Sequence, residues 1–296
     1  MIYAFMQKHS TQFDIAVMAK IFKVSRAGYY KSIIRQESRR AQTDVKLLAK
    51  IKDIHEKSRE NYGSPRVHRA LKKLGELCSR RKVAKLMRAH KIRAKSPKKW
   101  RTSTKPCRDL ARIAPNIVNQ NFYAPAPNRV WVSDITYIRT QEGWLYVAVI
   151  MDLFSRKIVG LGMSDRIDTL LIKRAFAQAV YHRRPRAGLI LHSDRGSQYA
   201  SDEYKMVTRS KGITLSMSGK GNCYDNAAME SFFHTLKMEH VYFCKFQTRK
   251  EAAHSIFEYI EVFYNRQRIH STLGYSSPEE FERKYKPQTP QLGAVG

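Results

Sequence analysis

Only four cysteines occur in 296 residues, Cys78, Cys107, Cys223 and Cys244, far apart and with no C-x-x-C pair. That excludes a disulfide scaffold and a zinc ribbon, and scattered reduced thiols fit a cytoplasmic protein. Long apolar runs are missing too. The longest, Trp144 to Met151, has eight residues, far short of a bilayer span. The first ten residues lack the apolar stretch and small-residue cleavage site of a secretory signal. No internal repeat or low-complexity tract interrupts the chain. No H-x-x-x-H step stands beside a cysteine pair, so no structural zinc is expected.

Acidic residues are also scarce, 25 Asp and Glu against 55 Lys and Arg, for a formal charge of +30. The excess is uneven. Residues 1–112 hold 31 Lys and Arg against 8 Asp and Glu, a balance of +23, whereas residues 113–296 carry only +7. A polyanion is the partner such a surface selects, because each phosphate it neutralises releases a counterion. With 43% hydrophobic residues the chain still has the composition of a globular protein.

Periodicity divides the basic part. Residues 13–31 read as helix, turn and helix, with Ile15, Met18, Ala19 and Phe22 at helical spacing and Ser25 as an N-cap, so residues 1–40 form a helical segment of helix-turn-helix type. In residues 41–93, Val45, Leu48, Ile51 and Ile54 line one helix. Ser64 and Pro65 open a second, with Val67, Ala70, Leu71 and Leu74 as its stripe and Gly75 as its stop. Ser79 caps a third whose Val83, Leu86 and Met87 face inward. Arg80, Arg81, Lys82, Lys85 and Arg88 form the outer face, a basic helix suited to a major groove. Residues 94–112, rich in Lys and Arg with Pro97 and Pro106, read as an extended linker.

Residues 113–285 form the next domain, followed by a tail at 286–296. Val130 to Ile138, Trp144 to Met151 and Ile158 to Met163 predict three antiparallel strands, the first two joined at Gln141-Glu142-Gly143. A helix capped by Asp168 and carrying Leu171, Ala175, Ala179 and Val180 leads to a short buried strand at Leu189-Ile190-Leu191. A helix near 201–211, a strand at Ile213 to Met217, and helices near 225–240 and 249–267 complete the order. This is an α/β arrangement, a ribonuclease H-like core with a mixed five-stranded sheet and flanking helices, preceded by small all-α domains.

Three acids fall where that fold converges. Asp134 sits mid-strand among apolar neighbours, where an unpaired carboxylate is costly. Asp194 ends the short strand in Leu191-His192-Ser193-Asp194-Arg195-Gly196, and Glu230 lies on a helix four residues after Asn226. Carboxylates without thiol or imidazole competitors describe a site for Mg²⁺ or Mn²⁺. Two such ions, about 3.5–4 Å apart, serve in-line phosphoryl transfer. The remaining acids have structural readings. Asp152 supports a turn and pairs with Arg156, while Asp165, Asp168 and Asp202 serve as turn or cap residues and Asp225 caps the Glu230 helix. Glu251, Glu258 and Glu261 form a solvated face, and His192 makes a structural hydrogen bond.

Asp134, Asp194 and Glu230, separated by 59 and 35 residues, resemble the DDE triad of retroviral-type integrases and bacterial insertion-sequence transposases. His192-Ser193-Asp194-Arg195-Gly196-Ser197-Gln198-Tyr199 resembles the second-aspartate block of the IS-three family. Gly221-Asn222, Asp225-Asn226-Ala227 and Glu230-Ser231 resemble its glutamate block, with Lys237 seven residues on, where the family has a basic residue. Tyr264-Asn265, His270-Ser271, Leu273-Gly274-Tyr275 and Pro278 resemble its closing block, and residues 41–95 its helix-turn-helix. The retroviral His/Cys zinc domain is missing, which favours the bacterial relatives.

The resemblance implies a transposase that cleaves element ends in double-stranded DNA and joins the 3′-hydroxyl to target DNA, in the bacterial cytoplasm and as a homo-multimer on DNA. The chain looks like the second, larger reading frame, beginning at Met1. The product of the upstream frame, OrfA, is then an expected partner or fusion segment. Asp134, Asp194 and Glu230 bind the metal, Lys237 contacts DNA near the scissile phosphate, and Asn226 contacts DNA or orients Glu230. Arg195, Lys220, Arg266 and Arg268 are further candidates for phosphate contacts. Two other readings share the basic helices or the fold, a non-catalytic DNA-binding regulator of transposition and a structure-selective nuclease.

Overall fold

The computed structural model describes residues 2–34, 38–96, 114–118, 123–219 and 226–285. Most of the expected linker, the tail, Cys107 and Cys223 lie outside these residues. Three short helices, α1 (Ile2–Lys8), α2 (Ile15–Ile21) and α3 (Arg26–Ile34), close over Met6, Met18, Ala19 and Tyr29. Asp14 caps α2 through Ala16 N–H at 2.7 Å, and Ser25 accepts from Gly28 N–H at 3.0 Å, as expected of an N-cap.

Helices α4 (Arg39–Lys57), α5 (Ser64–Lys73) and α6 (Arg80–Ala89) make the second bundle. Its apolar face differs from the expected one. Leu47, Ile51 and Ile54 are buried while Val45 is 59% exposed, because the stripe of α4 is centred on Leu47. Ser64 does not cap α5. Gly63 holds the N-cap position without a side-chain bond, and Pro65 supplies the pre-set φ of the first turn. Leu74 lies exposed at the C-cap, and Gly75, at φ +80°, stops the helix. Ser79 caps α6 through Lys82 N–H at 3.2 Å.

The sheet runs β3-β2-β1-β4-β5. Strands β1 (Val130–Thr140), β2 (Gly143–Asp152) and β3 (Ile158–Ser164) form an antiparallel meander, and β4 (Ile190–Ser193) and β5 (Thr214–Met217) add in parallel. The ribonuclease H-like order read from the sequence is the order observed. Alternation along the strands separates two cores. Trp131, Ala148 and Ile150 pack with α7 (Thr169–Arg183), and Val132, Val147 and Val149 pack with α9 (Ala227–Glu239) and α10 (Arg249–Glu258). Gly160 and Gly162 let β3 approach α7 closely: a Cβ on either would lie 2.3 or 2.4 Å from the carbonyl oxygen of Ala175 or Leu171.

Asp168 caps α7 as expected, through Leu171 N–H at 2.8 Å, whereas α8 (Asp202–Arg209) is capped by Ser201 and not by Asp202. Asp152 is fully buried and pairs with Arg183 at 3.1 Å rather than with Arg156. It still supports its turn, accepting from Asn128 and Phe154 N–H. The acids of the last long helix are likewise engaged. Glu251 donates its N–H to the Thr248 hydroxyl and accepts from Gln247 N–H, Glu258 pairs with Arg59 at 2.6 Å, and Glu261 accepts from Asn265. Beyond α10 the chain continues as a π-helical turn, Tyr259–Tyr264, and the last helix among the described residues is α11 (Pro278–Arg283).

The second bundle is docked on the sheet domain. Ile269 N–H donates to the Tyr62 hydroxyl at 2.8 Å, Arg66 reaches Glu239 at 3.2 Å and Lys73 reaches Glu280 at 2.7 Å. No helix among the described residues is long and apolar enough to cross a membrane.

Candidate active site

Parallel pairing of β1 with β4 sets Ser133 opposite Ser193. The next residue on each strand is an aspartate, so Asp134 and Asp194 come side by side where β4 ends and β1 runs on. Each accepts one short-range backbone bond, Asp134 from Ile135 N–H at 2.7 Å and Asp194 from Gly196 N–H at 3.0 Å. Burial, reinforced by Asp194 and Glu230, pushes the Asp134 carboxyl up to about 8, against the opposing effect of the Ile135 N–H and of Lys237. Burial also raises Asp194.

The strands that carry this pair are tied from behind. His192 is fully buried, with Nδ1 2.8 Å from the Ser216 hydroxyl and Nε2 3.3 Å from that of Ser218, joining β4 to β5. The expected structural role of His192 is therefore the observed one. Ser133 shares a 2.8 Å hydrogen bond with the Tyr199 hydroxyl, holding β1 against the segment after β4. Arg195 donates through Nε to Ser218 O at 2.6 Å.

Glu230 stands exposed in the first turn of α9. Its charge is felt at Asp134, yet among the described residues no three His, Cys, Asp or Glu side chains gather closely enough to hold a metal ion. The two aspartates are the pair brought together, and Glu230 faces them from the helix. Lys220 and Asp225, with the Gly221-Asn222 part of the glutamate block, lie outside the described residues. Asn226 is buried at the N-cap of α9 and its Nδ2 lies 3.5 Å from Ser133 O, against the backbone next to Asp134.

Lys237 lies two turns along α9, half-buried, with Nζ 5.1 Å from the Tyr137 ring centre. Burial lowers its pKa while Asp134 raises it. Tyr137 in turn meets Trp144 edge-on at 5.1 Å. This aromatic pair was not singled out from the sequence, where both residues read as ordinary strand aromatics.

On α6, Arg80, Arg81, Lys85 and Arg88 are exposed, but Lys82 is half-buried and paired with Asp44 at 2.5 Å. Arg266 is exposed, 3.7 Å from Glu279. Arg268 is buried and bound to Glu239 by two hydrogen bonds, of 2.7 and 2.6 Å, which removes it from the expected phosphate contacts.

Comparison with known proteins agrees with this architecture. Two models described as integrase core domain match residues 124–223 and 230–285, and one described as HTH-like domain matches residues 42–100. An insertion element IS600 protein of Shigella sonnei is 46% identical over 268 residues, 90% of this chain and 98% of that protein. The transposase InsF for insertion sequence IS3A of Escherichia coli K12 is 38% identical over 291 residues, 96% of this chain and 99% of that protein. A chain of the simian T-cell lymphotropic virus intasome aligns with a TM-score of 0.47 and 17% identity, over 75% of this chain and 71% of that one.

Proposed function

The chain belongs to the insertion-sequence transposases of the IS3 type and is a DNA transposase, and we propose that Asp134, Asp194 and Glu230 are its catalytic residues. The observation that carries this reading is the adjacency of Asp134 and Asp194 at the end of β4, with both carboxyls raised by burial. Two acids kept that close stabilise each other's protonated form unless a cation intervenes.

The donors fit a hard divalent cation. They are carboxylate oxygens, with a single short backbone bond to each aspartate and no thiol or imidazole among them. Asp134, Asp194 and Glu230 would hold Mg²⁺ or Mn²⁺, two ions per site. A bound divalent cation supplies Lewis acidity to the phosphoryl oxygens and lowers the pKa of the attacking water or 3′-hydroxyl.

The chain's own part is positioning. The His192 ladder and the Ser133–Tyr199 bond hold the two aspartate-bearing strands in register, and Asn226 braces the backbone beside Asp134. Lys237, whose Nζ stands over the Tyr137 ring, contacts the DNA near the scissile phosphate. Arg80, Arg81, Lys85 and Arg88 grip the duplex backbone from α6, and Lys82 holds α6 to α4 through Asp44.

The enzyme cleaves element ends and joins the 3′-hydroxyl to target DNA as a homo-multimer, with the upstream-frame OrfA product as partner or fusion segment, in the bacterial cytoplasm. An oligonucleotide carrying the element's terminal repeat, incubated with protein, Mg²⁺ and a target plasmid, tests the reading. Joined products that need the divalent ion are expected. Hydrolysis without joining would establish a nuclease, and binding without either reaction a regulator.

A further inference from the structure

A half-open cleft of about 300 Å³ lies where the turn after β2, the helix α9, the segment after the π-helical turn and Arg66 of α5 meet. Three guanidinium groups line it, Arg66, Arg156 and Arg268, together with hydroxyl-bearing residues such as Ser231 and Thr272, and no carboxylate does. Two of the arginines are committed to Glu239. Arg156 is different. It makes no ion pair among the described residues, and burial draws its guanidinium below the usual value. A half-buried cation without a counter-charge is costly to keep.

The backbone sets Arg156 in place. Its φ is +61°, uncommon for a residue with a Cβ, and its N–H donates to Asp152 O at 2.8 Å. Nor does His270 offset the positive charge. Both its ring nitrogens lie within 3.3 Å of Arg268 Nη1, and burial together with the three arginines keeps it neutral down to about 2. Ala227 and Ala228, in the first turn of α9, also line the cleft, and a helix N-terminus favours negative charge. The cleft therefore presents guanidinium, hydroxyl and helix-end donors together, the set that recognises a phosphate group.

Its place in the fold selects the source of that phosphate. Ser231, in the lining, directly follows Glu230, and Arg66, also in the lining, belongs to the docked HTH-like bundle. We propose that the cleft binds a backbone phosphate of the DNA, with Arg156 as its main contact, and so clamps the duplex where the helical bundle meets the catalytic helix. The proposal takes from the transposase reading only that the polyanion is DNA.

The test uses the full chain in metal-free buffer, with anisotropy of a short labelled duplex of arbitrary sequence followed over a salt series. Arg156→Ala is expected to weaken binding about tenfold and to make the slope of log K against log salt shallower by about one. Thr272→Glu, which places a carboxylate in the cleft, should weaken binding likewise while leaving the melting temperature unchanged or higher. Inorganic phosphate provides a second arm. Unchanged duplex affinity in both variants, with phosphate raising the melting temperature of the wild type but not of Arg156→Ala, would make this a free-anion site and overturn the DNA assignment. Unchanged affinity with a lower melting temperature for Arg156→Ala would make the residue structural and also overturn it. No metal or turnover enters the measurement, so its failure is distinct from a failure of the carboxylate assignment.

Discussion

Arg268 donates from Nε and Nη2 to the two carboxylate oxygens of Glu239, at 2.7 and 2.6 Å, and so joins the segment after the π-helical turn to the end of α9. Arg66 of the helical bundle and the Tyr259 hydroxyl reach the same carboxylate, at 3.2 and 3.1 Å. One acid therefore ties three parts of the molecule together.

Breaking that joint leaves a buried charge without its partner. Glu239→Gln should destabilise the protein by about 3 kcal/mol in urea denaturation. The double variant Glu239→Leu, Arg268→Met should recover part of the loss. Burial raises Glu239, but Arg268 outweighs it and holds the carboxyl below its usual value. The pair's contribution is thus present above the unfolded pKa of about 4.3 and disappears as pH falls through the depressed folded value. A wild-type stability for the single variant would remove Glu239 from this role.

Two histidines make the fold sensitive to acid at a higher pH. Burial and nearby arginines lower His240 to about 4 and His270 to about 2, from the usual 6.5. Below 6.5 the unfolded chain takes up protons that the folded one does not, so stability present above that pH is lost as pH falls toward 4. His240→Gln should flatten the fall in urea midpoint between pH 7 and 5. An identical pH slope in the variant would contradict the assignment.

Gly160 gives β3 its approach to α7, and a methyl group there meets the Ala175 carbonyl. Gly160→Ala is expected to cost about 2 kcal/mol by forcing the helix off the sheet. A melting temperature equal to the wild type would show that the layers part freely.

The strand pattern and the two aspartates were legible because each is a local signal. A β-branched, aromatic or continuous apolar run marks a strand, and an acid inside an apolar run marks a site. The partners of charged residues were not local. Asp152 finds Arg183 rather than the nearby Arg156, and Glu258 finds Arg59 nearly two hundred positions away. Arg268 looked like a phosphate contact because its sequence neighbours say nothing of Glu239. The face of α4 was misplaced for the same reason, since Leu47 and Val45 are both apolar and only the docking of α5 and α6 selects between them.

A metal site at the proposed carboxylates predicts a response to cations. Mg²⁺ should raise the melting temperature, and the rise should grow with pH up to about 8 as Asp134 gives up its proton. Asp134→Asn should abolish that increment. An undiminished Mg²⁺ effect in the variant would place the ion elsewhere.

The most direct test compares wild type with Asp194→Asn on a terminal-repeat duplex in Mg²⁺, reading strand cleavage, strand joining and duplex affinity on the same preparation. With Asp194 as a metal-binding catalytic residue, cleavage and joining disappear together while affinity stays within about twofold, because the carboxylate contributes no attraction to phosphate. Equal turnover by the two proteins would contradict the assignment of Asp134, Asp194 and Glu230 as the site of phosphoryl transfer.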